Sequence, residues 1–256
     1  NSFAGTLSAY GGGGAYSGGA GTVYLQNNTS QQLILDNAGR DGTNTALLSA
    51  SAADLTVQNG AKASASSAVT FKSLNVTSNA WLTQFSSSLT VLGNATIQTG
   101  GGFTADAANA SGSSANGGAS STFPYGGGGG GHGGGSVGGN AISNSATGGI
   151  TGNDSISSPS GNYIGKGGGN SPYSTGGSGG GFVQMIVNGT LQLDGRISAN
   201  GGSGSGLGGG GGGGGSVRLT TGVFTGGGVI SANGGDGVNG VVGGIDSGPA
   251  VVSSMR

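Results

Sequence analysis

Three short stretches decide the fold: Leu55-Thr-Val57, Leu74-Asn-Val76 and Leu89-Thr-Val91. Each sets two apolar residues around one polar residue. Val69-Thr-Phe71 and Ala95-Thr-Ile97 fit the same template. Period-two alternation turns one strand face inward and the other outward. The first three triplets begin 19 and 15 residues apart, with Asn, Gly, Ser and Ala between them. Short strands at such intervals predict the stacked coils of a parallel β-solenoid. A β-sandwich would also give many short strands. The solenoid is preferred because the triplet recurs with one polarity and no Asn-Gly pair is expected to close a two-residue hairpin. Essentially no α-helix is expected: the stretch is rich in Thr, Val, Ser and Asn, and no i, i+3, i+4, i+7 stripe persists.

Outside this stretch the chain changes character. Of 256 residues 67 are glycine, 13 of them in the first hundred and 54 in the rest. Only Gly60 and Gly93 fall between residues 43 and 99. Four regions follow: a glycine-rich opening with a strand pair (1–42), glycine-poor solenoid coils (43–99), a Gly/Ser/Asn-rich layered or loop region (100–181), and glycine-rich strand-pair repeats (182–256). The last contains a clear repeat. Gly195-Arg-Ile-Ser-Ala-Asn-Gly-Gly202 returns as Gly228-Val-Ile-Ser-Ala-Asn-Gly-Gly235, 33 residues later. Gly5-Thr-Leu-Ser-Ala-Tyr-Gly-Gly12 reads as a third copy, followed by Val23-Tyr-Leu25 and Leu33-Ile-Leu35 as a looser strand pair. No such strand buries its face alone, so the units are expected to stack.

A quarter glycine points first to disorder. Ordering the eight glycines Gly208–Gly215 would cost on the order of 8–16 kcal/mol, at roughly 1–2 kcal/mol per residue. No side chain offsets that. Backbone hydrogen bonds and close contact are the only compensation. An extended helix with three residues per turn has no internal hydrogen bonds, so its amides can bond sideways to neighbouring copies. The runs are therefore expected to form polyglycine-II-like segments packed in layers; flexible loops are the alternative.

Composition excludes several classes. Charged residues are 6% and the net charge is −1. Seven scattered cations make no basic stripe for nucleic acid. Without Cys there is no disulfide scaffold. No apolar run nears the roughly 18 residues of a membrane span, so no membrane insertion is expected. Four prolines and clustered glycine exclude collagen.

The succession Gly18-Gly-Ala-Gly-Thr-Val-Tyr-Leu25, Leu33-Ile-Leu-Asp-Asn-Ala-Gly39, the Leu-Thr-Val triplets, Phe103-Thr-Ala-Asp-Ala107 and the two Ile-Ser-Ala-Asn-Gly-Gly units resembles the glycine-rich repeat regions of very large secreted or surface proteins, chiefly bacterial. The likeness spans nearly the whole chain and implies no particular activity. The glycine runs alone are distantly similar to the glycine-rich adhesin tips of phage tail fibres, whose loops recognise surface receptors. The chain begins at Asn1 partway through a repeat and shows no signal peptide. It is read as a stretch of a longer secreted protein.

Candidate chemistry is sparse. His132, the single histidine, lies in Gly-Gly-His-Gly-Gly, where a projecting side chain explains it without catalytic or metal partners. Asp36, Asp41 and Asn44 surround a glycine turn and offer oxygen ligands to Ca²⁺, the one cofactor with any sequence support. The spacing is not that of an EF-hand, the closing Glu is missing, and Asx turns account for these residues. Eight scattered Asp give no paired carboxylates for a glycosidase. Gly165-Lys-Gly-Gly-Gly169 is not a phosphate loop. The expectation is a non-enzyme with no catalytic, metal or cofactor-binding residues. Asn27, Asn28, Asn75, Asn94, Asn109, Asn153 and Asn188 head Asn-x-Ser/Thr sequons and would accept glycans in a eukaryotic secreted protein. Trp81, in Ala-Trp-Leu-Thr, reads as a core or capping residue. Tyr125, Tyr163 and Tyr173 stand near prolines in turn-like stretches and are candidate contact residues.

The function read from these features is structural: an extracellular or cell-surface module that forms or decorates a filament, sheath or surface layer by stacking on itself. Low charge gives little resistance to association, and solenoid ends and strand edges are open templates. An adhesin recognising surface glycans through glycine-rich loops, such as 119–125 and 159–175, is the alternative.

Overall fold

The computed structural model describes residues 5–85, 87–108, 164–170, 174–206, 208–238 and 252–255. Strands make up 47% of these and none is helical, so the chain is all-β. One nine-stranded sheet holds β1 (Val23–Gln26), β2 (Gln31–Asp36), β4 (Ala50–Gln58), β6 (Val69–Val76), β8 (Leu89–Val91), β9 (Ala95–Ile97), β12 (Phe182–Leu193), β15 (Ser216–Thr225) and β17 (Val252–Met255). A six-stranded sheet holds β3 (Asn44–Ala46), β5 (Lys62–Ala65), β7 (Trp81–Phe85), β10 (Gly102–Thr104), β13 (Arg196–Ser198) and β16 (Val229–Ser231). β11 (Ser174–Thr175) and β14 (Ser205–Gly206) form a separate antiparallel pair.

From β2 onward the chain alternates between the two large sheets, except that β8 and β9 follow one another in the larger and β11 and β14 lie in neither, and every pairing in the second sheet is parallel. The larger sheet departs from the expected all-parallel arrangement at one edge. β1 folds back antiparallel on β2, which makes this sheet mixed. The turn between them is Asn27–Ser30, where the Asn27 side-chain oxygen accepts from the amides of Thr29 and Ser30, both at 2.8 Å. The hairpin signal is thus an Asn side chain closing a longer turn, not an Asn-Gly pair. Gly5–Gly12, expected as a third repeat copy, forms no strand.

Register explains the triplets. Leu55 pairs with Leu74 and Val57 with Val76, the 19-residue offset. The 15-residue offset is not a coil. Leu89 pairs with Val69, whereas Leu74 pairs with Ala95. β6 carries two triplets in one strand, and β8 and β9 answer them separately. Lys72 and Ser73 both point away from the core between those triplets, so the pleat slips there. The 33-residue repeat stacks in register, Ile197 on Ile230 and Ser198 on Ser231.

Between the sheets lies a core of aligned rows. One runs Leu33, Leu55, Leu74, Ala95, Leu191, Phe224 across the larger sheet. Another runs Ala63, Leu82, Phe103, Ile197, Ile230 across the smaller. Leu55, Leu82, Phe103, Leu191 and Ile197 are fully buried, each such side chain contributing roughly 1.5–3 kcal/mol. Stacked turns join the sheets. At Asn59 and Gly60 both central residues have positive φ, 53° and 80°, the combination a type I′ turn requires.

The glycine run is packed by backbone alone. Gly208–Gly215 is wholly buried among four extended segments. Gly177 and Gly180 donate to the carbonyls of Gly210 and Gly213 (2.8 and 2.9 Å). The amides of Gly210 and Gly213 donate to Gly169 and Lys166 (3.1 and 2.8 Å). Those of Gly212 and Gly215 donate to Gly202 and Ala199 (2.9 and 2.7 Å). Gly235 and Val238 donate back to Gly212 and Gly209 (2.8 and 2.9 Å). Each set recurs every three residues. None of Gly209–Gly215 has positive φ, so their need for glycine is one of space. A Cβ on Gly211 would overlap the Gly235 carbonyl oxygen, and one on Gly212 that of Ser178.

A smaller version closes the opposite end. Gly18 and Gly21 donate to the carbonyls of Gly12 and Ala9 (2.9 and 2.6 Å), again three residues apart. Asn37, fully buried, locks this pair to the sheet. Its side-chain oxygen accepts from the Gly11 amide at 2.8 Å, and its Nδ2 donates to the carbonyls of Gly18 and Arg40 at 3.2 and 2.8 Å.

Candidate functional site

Two features of the fold can meet a partner: a groove on the outer face of the six-stranded sheet, and the part of β15 around Phe224 that β17 does not pair. The groove follows from strand alternation. Ala63, Leu82, Phe103 and Ile197 turn inward, so the residues one step earlier turn outward. These form a row, Asn44, Lys62, Trp81, Gly102, Arg196, Val229, across six adjacent strands. Trp81 is therefore neither a core nor a capping residue: it is half-buried on the outer face, because its neighbour Leu82 takes the inward position.

Gly102 lets Trp81 lie across the row. A Cβ there would be 2.5 Å from Trp81 Cζ3 and 2.7 Å from the Arg196 carbonyl oxygen. The indole reaches over Gly102 to Arg196, whose guanidinium carbon is 5.0 Å from the ring centroid. A partly exposed pair of this kind is worth about 0.5–1 kcal/mol. Arg196 Nη2 also lies 3.6 Å from Asp106 Oδ2. Asp106 is held from three sides. Its Oδ2 accepts from Ser198 Oγ at 2.9 Å, its Oδ1 from the Asn200 amide at 2.6 Å, and its own amide donates to Thr104 Oγ1 at 3.2 Å. Across the row, Lys62 Nζ meets Asp41 Oδ1 at 2.5 Å, and Thr83 Oγ1 donates to Asn44 Oδ1 at 2.9 Å. These groups border a cleft of about 520 Å³ with two carboxylates and two cations, a neutral lining.

The structure brings Asp41 and Asn44 together on this cleft but not Asp36. Asp36 accepts from Gln58 Nε2 (2.7 Å), Asn59 Nδ2 (3.0 Å) and the Ala38 amide (2.8 Å). Each of the three oxygen-bearing residues serves a different partner. Among the described residues no three His, Cys, Asp or Glu side chains are grouped to hold a metal ion. Of the sequon asparagines, Asn27 and Asn28 lie in the β1–β2 turn and Asn75 is within β6. Asn188 is exposed, and the Asn94 side-chain oxygen accepts from the Thr190 amide at 2.9 Å. Asn109, Asn153, His132, Tyr125, Tyr163 and Tyr173 lie outside the described residues. The groove was missed in sequence because its members are scattered from Asp41 to Arg196. The available signal was the alternation itself, which puts Trp81 and Leu82 on opposite faces.

The second feature lies on β15, whose residues Val217–Thr220 pair with β17 while Gly222–Thr225 have no described strand beyond them. Phe224 continues the buried row through Leu191 yet is 50% exposed. Val223 and Val229, 53% and 58% exposed, face outward, Val223 one step before Phe224 and Val229 at the end of the Trp81 row. At the other end Leu7, Tyr10, Tyr16, Tyr24 and Leu48 are exposed. Between the ends the one further large apolar residue exposed among the described residues is Leu92. No protein-family model matches the chain, and no significantly similar curated protein or solved structure was found.

Proposed function

We propose that the chain is an extracellular structural module: a parallel β-solenoid flanked by polyglycine-II-like layers, which forms or decorates a filament, sheath or surface layer by stacking on copies of itself. Two-sheet alternation and the parallel register of successive strands favour the solenoid. The three-residue recurrence of sideways hydrogen bonds favours polyglycine II. The observation that carries the function is the core row that ends on exposed Phe224. The half of β15 that β17 does not pair exposes Phe224, and apolar residues are exposed near β1, which suits a head-to-tail contact. A head-to-tail contact that does not close gives a filament. A net charge of −1 offers little opposition.

Sedimentation velocity over a concentration series, with electron microscopy of the concentrated sample, tests this. Stacking predicts species that grow with concentration and that Phe224→Asp abolishes. A chain that stays monomeric at high concentration contradicts it. Glycan adhesion through the loops 119–125 and 159–175 remains the second reading; the outer-face groove gives that class a separate basis.

A further inference from the structure

The outer-face groove shares no lining residue with the exposed Val223, Phe224 and Val229, and its chemistry selects a ligand. We propose that it binds a short neutral saccharide, with Trp81 as the stacking platform. Ligand sites of this kind are concave, about 300–1,000 Å³, with few polar groups fixed around an apolar surface. The cleft measures about 520 Å³.

Each lining group excludes something. An anionic ligand would meet Asp41 and Asp106, and a cationic one would meet Lys62 and Arg196. A wholly apolar ligand would strip water from all four charges without replacing its hydrogen bonds. A sugar carries hydroxyls that both donate and accept, and its ring carries a C–H face. That face suits the exposed part of the half-buried indole, beside the Arg196 guanidinium 5.0 Å from the ring centroid. Carboxylate oxygens on Asp41 and Asp106 accept from hydroxyls; Lys62 and Arg196 donate to them.

The site is also built in advance. Asp106 is fixed by three hydrogen-bond partners, and Arg196 is held between Asp106 and the indole. Gly102 supplies the floor, since any side chain there would displace the ring. Groups already held in place lose little freedom on binding.

Trp81 is the one tryptophan of the chain, so its fluorescence reports the site alone. Dilute purified chain is titrated with neutral tetrasaccharides (cello-, xylo-, manno- and chito-) and with acidic ones (oligogalacturonate and a heparin tetramer). The expected result is a saturable change in emission with at least one neutral tetrasaccharide and none with the acidic set. Calorimetry then compares variants. Trp81→Ala is expected to weaken binding by roughly three- to tenfold, the size of one aromatic contact. Asp41→Asn, on a side chain 78% exposed, is expected to weaken it with the circular dichroism spectrum unchanged. No saturable signal with any neutral sugar, saturation by acidic sugars alone, or unchanged affinity in both variants would overturn the proposal. The titration uses dilute protein, so its outcome is independent of whether the chain assembles.

Discussion

Phe71 and Gly212 are both buried, and what encloses them differs. Phe71 lies in a row of apolar side chains between two sheets, at 0% exposure. Gly212 has no side chain, and backbone surrounds it: its amide donates to Gly202, its carbonyl accepts from Gly235, and the Ser178 carbonyl fills the space a Cβ would take. The sheet region is stabilised by apolar area removed from water. The glycine bundle is stabilised by hydrogen bonds and contact between chains that approach as closely as backbone allows. The first tolerates exchange among apolar residues of similar volume. The second leaves room only for glycine at Gly209, Gly211, Gly212 and Gly215.

Substitutions that sharpen this contrast fall in a definite order. Phe71→Ala leaves a cavity between β4, β6 and β8 and is expected to destabilise by about 3–5 kcal/mol in urea unfolding. Gly212→Ala adds a single methyl and is expected to cost about 3 kcal/mol, at the top of the overpacking range, because the obstructing atom is backbone. A loss below about 1 kcal/mol there would break the comparison. Asn37→Ala leaves the Gly11 amide and the Gly18 and Arg40 carbonyls without their side-chain partner. A buried group so orphaned is worth about 1–3 kcal/mol, and limited proteolysis is expected to reach residues 5–21 first. Gly227→Ala is the control: nothing lies within 4 Å of its Cβ position and its φ is not positive. It is expected to be neutral or stabilising by up to about 1 kcal/mol in the same titration.

How much of this the sequence shows depends on the region. In the sheets, side chains report their own direction. The Leu55 and Leu74 triplets carry the 19-residue strand register, and Ile197 and Ile230 the 33-residue stacking. The pleat slip at Lys72–Ser73 was hidden, since one extra residue inside a strand looks like a short turn. β1 was hidden because Asn27 closes its turn with a side chain, a pairing that adjacent residue types do not announce. In the glycine bundle, eight identical residues carry no pattern from which to choose neighbours. The sequence predicts that such runs pack sideways; that Gly210 meets both Gly177 and Gly169 is a matter of three dimensions. The groove falls between these cases: Trp81 and Arg196 were visible as residue types, but 115 positions separate them and only β10 brings them across Gly102.

The contrast between sheet and bundle requires the glycine run to be built structure. Hydrogen exchange of the intact chain, resolved to Gly210, Gly212, Gly213 and Gly215, tests it directly. All four amides donate to backbone carbonyls inside the bundle, as the amide of Leu74 donates to Asn94 within the sheet region. The predicted result is protection of the same order as at Leu74. Exchange of the four at the rate of an unstructured peptide, with Leu74 still protected, would contradict it.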